Sequence, residues 1–449
     1  MIQSLRKYWP SRDQHQQVWS LSWPLMLSNI TVPMLGLVDT AVIGHLPDSY
    51  HLGAVAVGSM IFSILYWSFG FLRMGTTGMT AQAYGDENGG LNRQLLAQSM
   101  ILAFAIGFVL LLFQQPIIQI ALQLMDAEAI VDAEARLYSE IRILGAPAVL
   151  CNYAILGWFV GNQNTRIPLL LLLVTNIMNM VLDVIAVYGL GMHADGVAAA
   201  TVCSEYFALG LGVYLIRRQL RKVPGQLELA CLNRLRDYRN LIIVNRYLFV
   251  RTLLLLGSLA FFTAQGAKQG TDILSANAVL LNFLILIANW LDGFAHATEA
   301  LSGKYIGARK LREFYQSVTS ALLWSVVTAG LLALTFFLFG GLIIDLLTGI
   351  EQVRSIAKEY LTWIVLLPLI GVWSFLLDGI FVGTTQFRAM QNTMLFTIFV
   401  VFLPLWWATQ SMGNHGLWLS LMSVFVARAV SGGYVYWKIS KQQRWLPHD

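Results

Sequence analysis

The sequence predicts an all-α polytopic membrane protein with twelve transmembrane helices in two related six-helix lobes. Three observations predict it: an apolar composition, apolar runs of span length, and self-similarity at one fixed offset.

Of 449 residues, 57% are hydrophobic and 12% are charged, where soluble domains carry about a quarter charged residues. Mean hydropathy is +0.63. A soluble chain of this make-up would lack the polar surface to stay in solution, whereas lipid is as apolar as the side chains it meets. Cys151, Cys203 and Cys231 are far apart and form no CxxC pair, so neither a disulfide framework nor a zinc site is expected. The N-terminal stretch MIQSLRKYWPSRDQHQQ is basic and polar, without an apolar h-region. The first span is therefore expected to insert as its own anchor.

A span needs roughly 20 apolar residues. Such runs lie near 20–44, 54–80, 94–116, 136–160, 168–190, 195–216, 246–267, 276–300, 316–346, 358–382, 393–410 and 416–437. Basic residues orient them. With twelve spans, twenty of the 29 Lys and Arg residues fall on the side of the two termini, among them Arg217, Arg218, Arg221, Arg309, Lys310 and Arg312. Only Arg136, Lys268, Arg354 and Lys358 fall opposite. One missed span would invert every later loop, so both termini are expected to be cytoplasmic.

The longest cytoplasmic segment, 217–245, lies mid-chain and is rich in basic residues. We read it as the linker between an N-lobe (1–216, spans 1–6) and a C-lobe (246–449, spans 7–12). Sliding the sequence on itself supports this division. At an offset of 222 residues and without a gap, Ala54, Ala56 and Val57 meet Ala276, Ala278 and Val279, and Thr76 and Gly85 meet Thr298 and Gly307. Tyr138 meets Tyr360, and Gly157, Gly161 and Arg166 meet Gly379, Gly383 and Arg388. Six spans per half make these parallel repeats. Transporter folds of that kind place substrate between the halves, which rock about it.

Ionisable residues at bilayer depth are costly and functional by default. Asp39 lies in the first span and Asp183 in the fifth, with Asn179 four residues before Asp183 and so on the same helix face. The repeat partner of Asp39 is Phe261, which locates the acid's function in the N-terminal half. Two carboxyls sharing a dry site cannot both ionise cheaply, so one can take up and release a proton as access alternates. The bland alternatives are an acid in a watery vestibule or one capping a kinked helix. Pro24 and Pro33 share the first span with Asp39, as a passive kink or as a hinge responding to it. In the second half, Asp292, His296 and Glu299 follow helical spacing in the eighth span, and Asp378 lies in the tenth. Asp292, His296 and Asp378 are candidates for a cation-receptive C-lobe cavity, while Glu299, close to Lys304, is expected to be solvated.

The sequence contains no HExxH, GxSxG, P-loop or EF-hand. Neither enzymatic activity nor a cofactor is expected, and no nucleic-acid partner. Without a P-loop, energy must come from an ion gradient or from substrate.

LRMGTTGMTAQAYG (72–85), VDTAVIGHL (38–46), LGAVAVG (52–58) and LDGIFVG (377–383) resemble the multidrug and toxic compound extrusion (MATE) family, most of all its bacterial DinF-type branch. The resemblance runs over nearly the whole chain. It implies a cleft between the two lobes and export of cationic or amphipathic small molecules in exchange for H⁺ or Na⁺. It implies an N-lobe cation site of hydrogen-bonded residues falling on Asp39, Asn179, Asp183, Thr201 and Tyr138, with a first-helix hinge at Pro24. H⁺ is the expected coupling ion, and Na⁺ would bind at Asp39, Asn179, Asp183 and Thr201. A monomer in the bacterial inner membrane is expected. The alternative is a lipid-linked oligosaccharide flippase of the same superfamily, with Arg73, Arg246 and Arg251 as its few basic candidates.

Overall fold

The structure, a computed structural model, describes residues 8–43, 49–125, 128–221, 224–227, 232 and 235–446, leaving aside the side chains of 30, 32–43, 49, 235 and 237. Among these residues every regular element is a helix. Helix α1 spans Arg12–Ile43. Eleven further helices are long and apolar enough to cross a membrane: α2 Tyr50–Gly85, α3 Gly89–Leu112, α4 Ala129–Gly161, α5 Arg166–Gly189, α6 Ala194–Leu220, α7 Arg239–Ala267, α8 Thr271–Gly307, α9 Leu311–Leu347, α10 Glu351–Gly383, α11 Phe387–Ala408 and α12 Asn414–Lys441. With α1 they make the expected twelve, in a multi-pass membrane protein. Leu346, Phe337 and Trp407 are among many large apolar side chains left exposed, as lipid-facing positions require.

Several helices outrun the apolar segments that announce them. Both α8 and α9 have 37 residues, about 55 Å at 1.5 Å per residue, against a hydrocarbon core of about 30 Å. The added residues include charged ones, Lys304 of α8 and Arg312 and Glu313 of α9, where hydropathy gives no signal. A separate helix, Gln114–Met125, follows α3.

The chain forms two compact units, one of Leu27–Ile242 and one of Met1–Met26 with Ile243–Asp449. One boundary falls inside the 217–245 segment, and the first 26 residues group with the second half of the chain. The reason is the packing of the first half of α1. Trp19 meets Phe294 and Trp324 edge-on at 5.7 and 5.1 Å, and the Tyr305 hydroxyl donates to Gln17 Oε1 at 2.8 Å. Met26 lies against Gly293.

Within each unit the duplication is visible in the backbone. Helix α2 ends with Glu87 at positive φ and Asn88 N–H donating to the Ala83 carbonyl; α8 ends with Arg309 at positive φ and Lys310 N–H donating to the Tyr305 carbonyl. Helices α4 and α10 end alike, with Gln163 and Thr385 at positive φ, Asn164 N–H on Phe159 and Gln386 N–H on Phe381. Every pair is 222 residues apart. Each is the six-to-one bond that stops a helix and satisfies its last carbonyls.

The aligned glycines have the same cause in both halves. A Cβ at Gly157 would stand 2.5 Å from the Arg73 carbonyl oxygen, and one at Gly379 2.3 Å from that of Ala295. At Gly161 it would stand 2.9 Å from the Thr77 oxygen, and at Gly383 2.4 Å from that of Glu299. Helix α4 therefore presses its backbone on α2 as α10 does on α8. Gly157→Val and Gly379→Val should each lose stability on the scale of overpacking, about 1–3 kcal/mol. Thermal unfolding of purified protein in detergent checks this, with Gly210→Ala, whose added Cβ meets nothing within 4 Å, expected to melt with the unsubstituted protein.

Candidate functional site in the first half

Helix α5 carries Asn176, Asn179 and Asp183 at spacings of three and four, a polar stripe on an otherwise apolar span. All three are buried, Asn179 and Asp183 at 0% exposure. A π-helical turn, Ile185–Gly189, begins two residues after Asp183; such local widening is frequent at functional sites. Across from the stripe, α6 presents Thr201.

These groups form one bonded cluster. With the Asn179 amide nitrogen facing the acid, it donates to Asp183 Oδ2 at 3.1 Å, and the amide oxygen accepts from Thr201 Oγ1 at 3.0 Å and from the Thr201 N–H at 3.3 Å. This arrangement suits an ionised carboxylate, which only accepts. Thr201 Oγ1 also lies 2.9 Å from the Val197 carbonyl.

Further up the stripe, Asn176 donates to the Thr31 carbonyl of α1 at 3.3 Å, on the helix that carries Asp39. The side chains of Asp39 and Pro33 lie outside the described residues. Tyr138 of α4 is buried; its hydroxyl lies 3.1 Å from Ser59 Oγ, and its ring covers Gly58. Pro24 is buried within a continuous α1, in the part that packs with the second half of the chain. The structure therefore joins Asn179, Asp183 and Thr201, places Tyr138 on a separate contact with α2, and groups Pro24 with the other unit.

The second-half candidates do not form an open acidic cavity. Both Arg251 of α7 and Arg428 of α12 bond Asp378 Oδ2, so Asp378 already holds two cations. His296 Nδ1 lies 3.3 Å from Glu299 Oε1. Glu299, expected to be solvated, is 2% exposed, because its turn of α8 lies under α10 at Gly383. Asp292 is half-buried and acts on Arg428 through its charge. Phe71 and Phe294 are packed in the interior.

Sequence reasoning passed over one buried ion pair. Arg142 of α4 and Glu205 of α6 meet in a two-pronged contact, Nη1 to Oε2 at 2.8 Å and Nη2 to Oε1 at 2.5 Å. The guanidinium lies over the Tyr66 ring at 4.9 Å. A Cβ on Gly145 would come within 2.4 Å of Glu205 Oε2, so the pair occupies space only a glycine leaves. The available signal was a lone glutamate in the apolar run TVCSEYFALG.

Comparison with known proteins agrees with this architecture. The MatE family model matches residues 24–185 and 248–408, one stretch in each half. The chain is 41% identical to the DNA damage-inducible protein F of Escherichia coli (strain K12), over 96% of this chain and 93% of that one. It is 24% identical to a probable multidrug resistance protein NorM of Photorhabdus laumondii, over 92% and 93%. Among solved structures, a MATE protein in its bent conformation superposes with a TM-score of 0.85 at 18% identity, over 96% and 97%. A mutant of the Vibrio cholerae MATE transporter VcmN gives 0.83 at 21%, over 96% and 97%. On the family model, the E. coli relative and the twelve-helix fold together, the chain belongs to the MatE family of multidrug and toxic compound efflux transporters and is not an enzyme.

Proposed function

We propose that the chain is a proton-coupled antiporter that exports cationic and amphipathic compounds across the bacterial inner membrane by alternating access. In this reading it works as a monomer with both termini in the cytoplasm. The observation that carries the reading is the buried Asp183–Asn179–Thr201 cluster, in which the Asn179 amide joins the acid of α5 to the hydroxyl and N–H of Thr201 on α6. An ionised Asp183 holds the amide nitrogen of Asn179. A proton entering from outside neutralises Asp183 and weakens its bond to Asn179, which Thr201 holds from the other side. Proton gain thereby becomes a change of contact between α5 and α6 in a buried site of low dielectric. Asp39, on the helix that Asn176 holds at Thr31, is the second carboxyl of the site. Tyr138 fixes α4 against α2 beside it, and Pro24 is the place where α1 bends as the cavity closes and the drug leaves. The relatives named for multidrug resistance support small organic compounds as cargo.

The oxygens of Asp39, Asn179, Asp183 and Thr201 would also suit Na⁺, a hard cation that takes oxygen ligands. Efflux of a cationic dye from proteoliposomes separates the two ions. An imposed pH gradient should drive accumulation and an imposed Na⁺ gradient should not, and Asp39→Asn should abolish the pH-driven part. Accumulation driven by Na⁺ alone, or retained in Asp39→Asn, refutes the proton reading.

A further inference from the structure

Away from the Asp183 cluster, a second set of charges lies within the spans of the other unit. Arg251 sits twelve residues into α7, Arg428 midway along α12, and Asp378 near the end of α10. The arginines are 8% and 7% exposed, and the Asp378 side chain is 19% exposed. Both guanidinium groups use one Nη2 on the same carboxylate oxygen, Oδ2. Among the described residues, neither has a second hydrogen-bond acceptor. Asp292 also acts on Arg428 by charge.

One feature of this arrangement calls for a ligand. A guanidinium carries five N–H donors, so one carboxylate oxygen leaves most of the donors of the two groups unused. With Asp292 close enough to act on Arg428, the two arginines face two acids, and it is the spare donors rather than net charge that an oxyanion would satisfy. Two forked, planar donors fixed by one bridging acid match the two or three oxygens of a carboxylate, sulfonate or phosphate. The bridging acid has a second effect: it holds the arginines side by side against their mutual repulsion.

We propose that Arg251 and Arg428, held together by Asp378, form an oxyanion-binding site in the second half of the chain, which takes the carboxylate, sulfonate or phosphate of an amphiphile. The proposal deepens the efflux reading by extending the cargo to zwitterionic and anionic amphiphiles. It takes Asp378, expected to receive a cation, and makes it the bridge of a site with the opposite preference.

Carboxyfluorescein and rhodamine 6G, an anion and a cation on related ring frames, are the probes. Fluorescence anisotropy measures their binding to the full-length protein in phospholipid-free micelles. The protein should bind carboxyfluorescein, and Arg251→Gln and Arg428→Gln should each weaken that binding about tenfold, as the loss of a charged hydrogen bond implies. Rhodamine 6G binding should be unchanged in both, which also shows that the variants are folded. Arg428→Lys keeps the charge that neutralises Asp378 and should fold where the glutamine variant does not, with an intermediate affinity for the anion. Phosphatidylglycerol added to the micelles should compete if the occupant is a lipid phosphate, which supports the site with lipid as its ligand. Indifference to phosphatidylglycerol, with binding still arginine-dependent, supports it with a soluble amphiphile. Carboxyfluorescein that does not bind, or binds equally well to Arg251→Gln and Arg428→Gln, overturns the proposal. Failure of rhodamine 6G to bind the unsubstituted protein would instead count against the cation-efflux reading.

Discussion

Asp183→Asn should fold and bind a cationic dye, yet lose the ability to concentrate it. The amide has nearly the shape of the carboxyl and can still meet Asn179, so the packing of a residue at 0% exposure survives. What it cannot do is gain and lose a proton. A pH difference of one unit supplies about 1.4 kcal/mol per proton, enough for about a tenfold dye gradient in a tightly coupled one-for-one exchange. Flux assays in proteoliposomes should show that gradient for the unsubstituted protein and simple equilibration for Asp183→Asn. Thr201→Val, which removes the hydroxyl bonded to Asn179 but leaves the acid, should retain weakened coupling. A dye gradient undiminished in Asp183→Asn would transfer the proton to another residue.

The Arg142–Glu205 pair should give the largest stability effect. It is buried, bonded at both prongs and further held by Asn152, whose amide donates to the Glu205 main-chain carbonyl at 3.1 Å. Removing one partner leaves the other as an uncompensated charge between helices, a loss of about 3–5 kcal/mol. Arg142→Met and Glu205→Met should each lower the melting temperature in detergent sharply. The double substitution removes both charges together and should recover most of the loss, since a well-packed apolar pair is often as stable as the ion pair it replaces. A double variant that melts as low as the singles would mean that the pair does more than hold α4 to α6.

The spans were legible because lipid demands long apolar runs. The duplication was legible because close helix approach demands glycine at the same place twice. Gly157 and Gly379 align in the sequence for the reason visible in the fold, namely a carbonyl on the neighbouring helix where a Cβ would be. Asn179 and Asp183 could be placed on one face from their spacing alone. Thr201 was found only through the family motif, since nothing in the sequence of α5 says which residue of α6 stands opposite. The same limit hid the ion pairs. Glu205 is 63 residues from Arg142, and Asp378 is 127 and 50 residues from its two arginines. Charge balance across helices is set by tertiary packing, so Asp378 read as an acid awaiting a cation. Likewise, nothing local in α1 announces that its first half packs with the second half of the chain.

The most direct test of the account is proton release on drug binding. Purified protein in weakly buffered detergent is titrated with rhodamine 6G while a pH indicator is followed. The account predicts that the unsubstituted protein releases protons as dye binds, and that Asp183→Asn binds dye but releases none. Equal proton release from both proteins would contradict it.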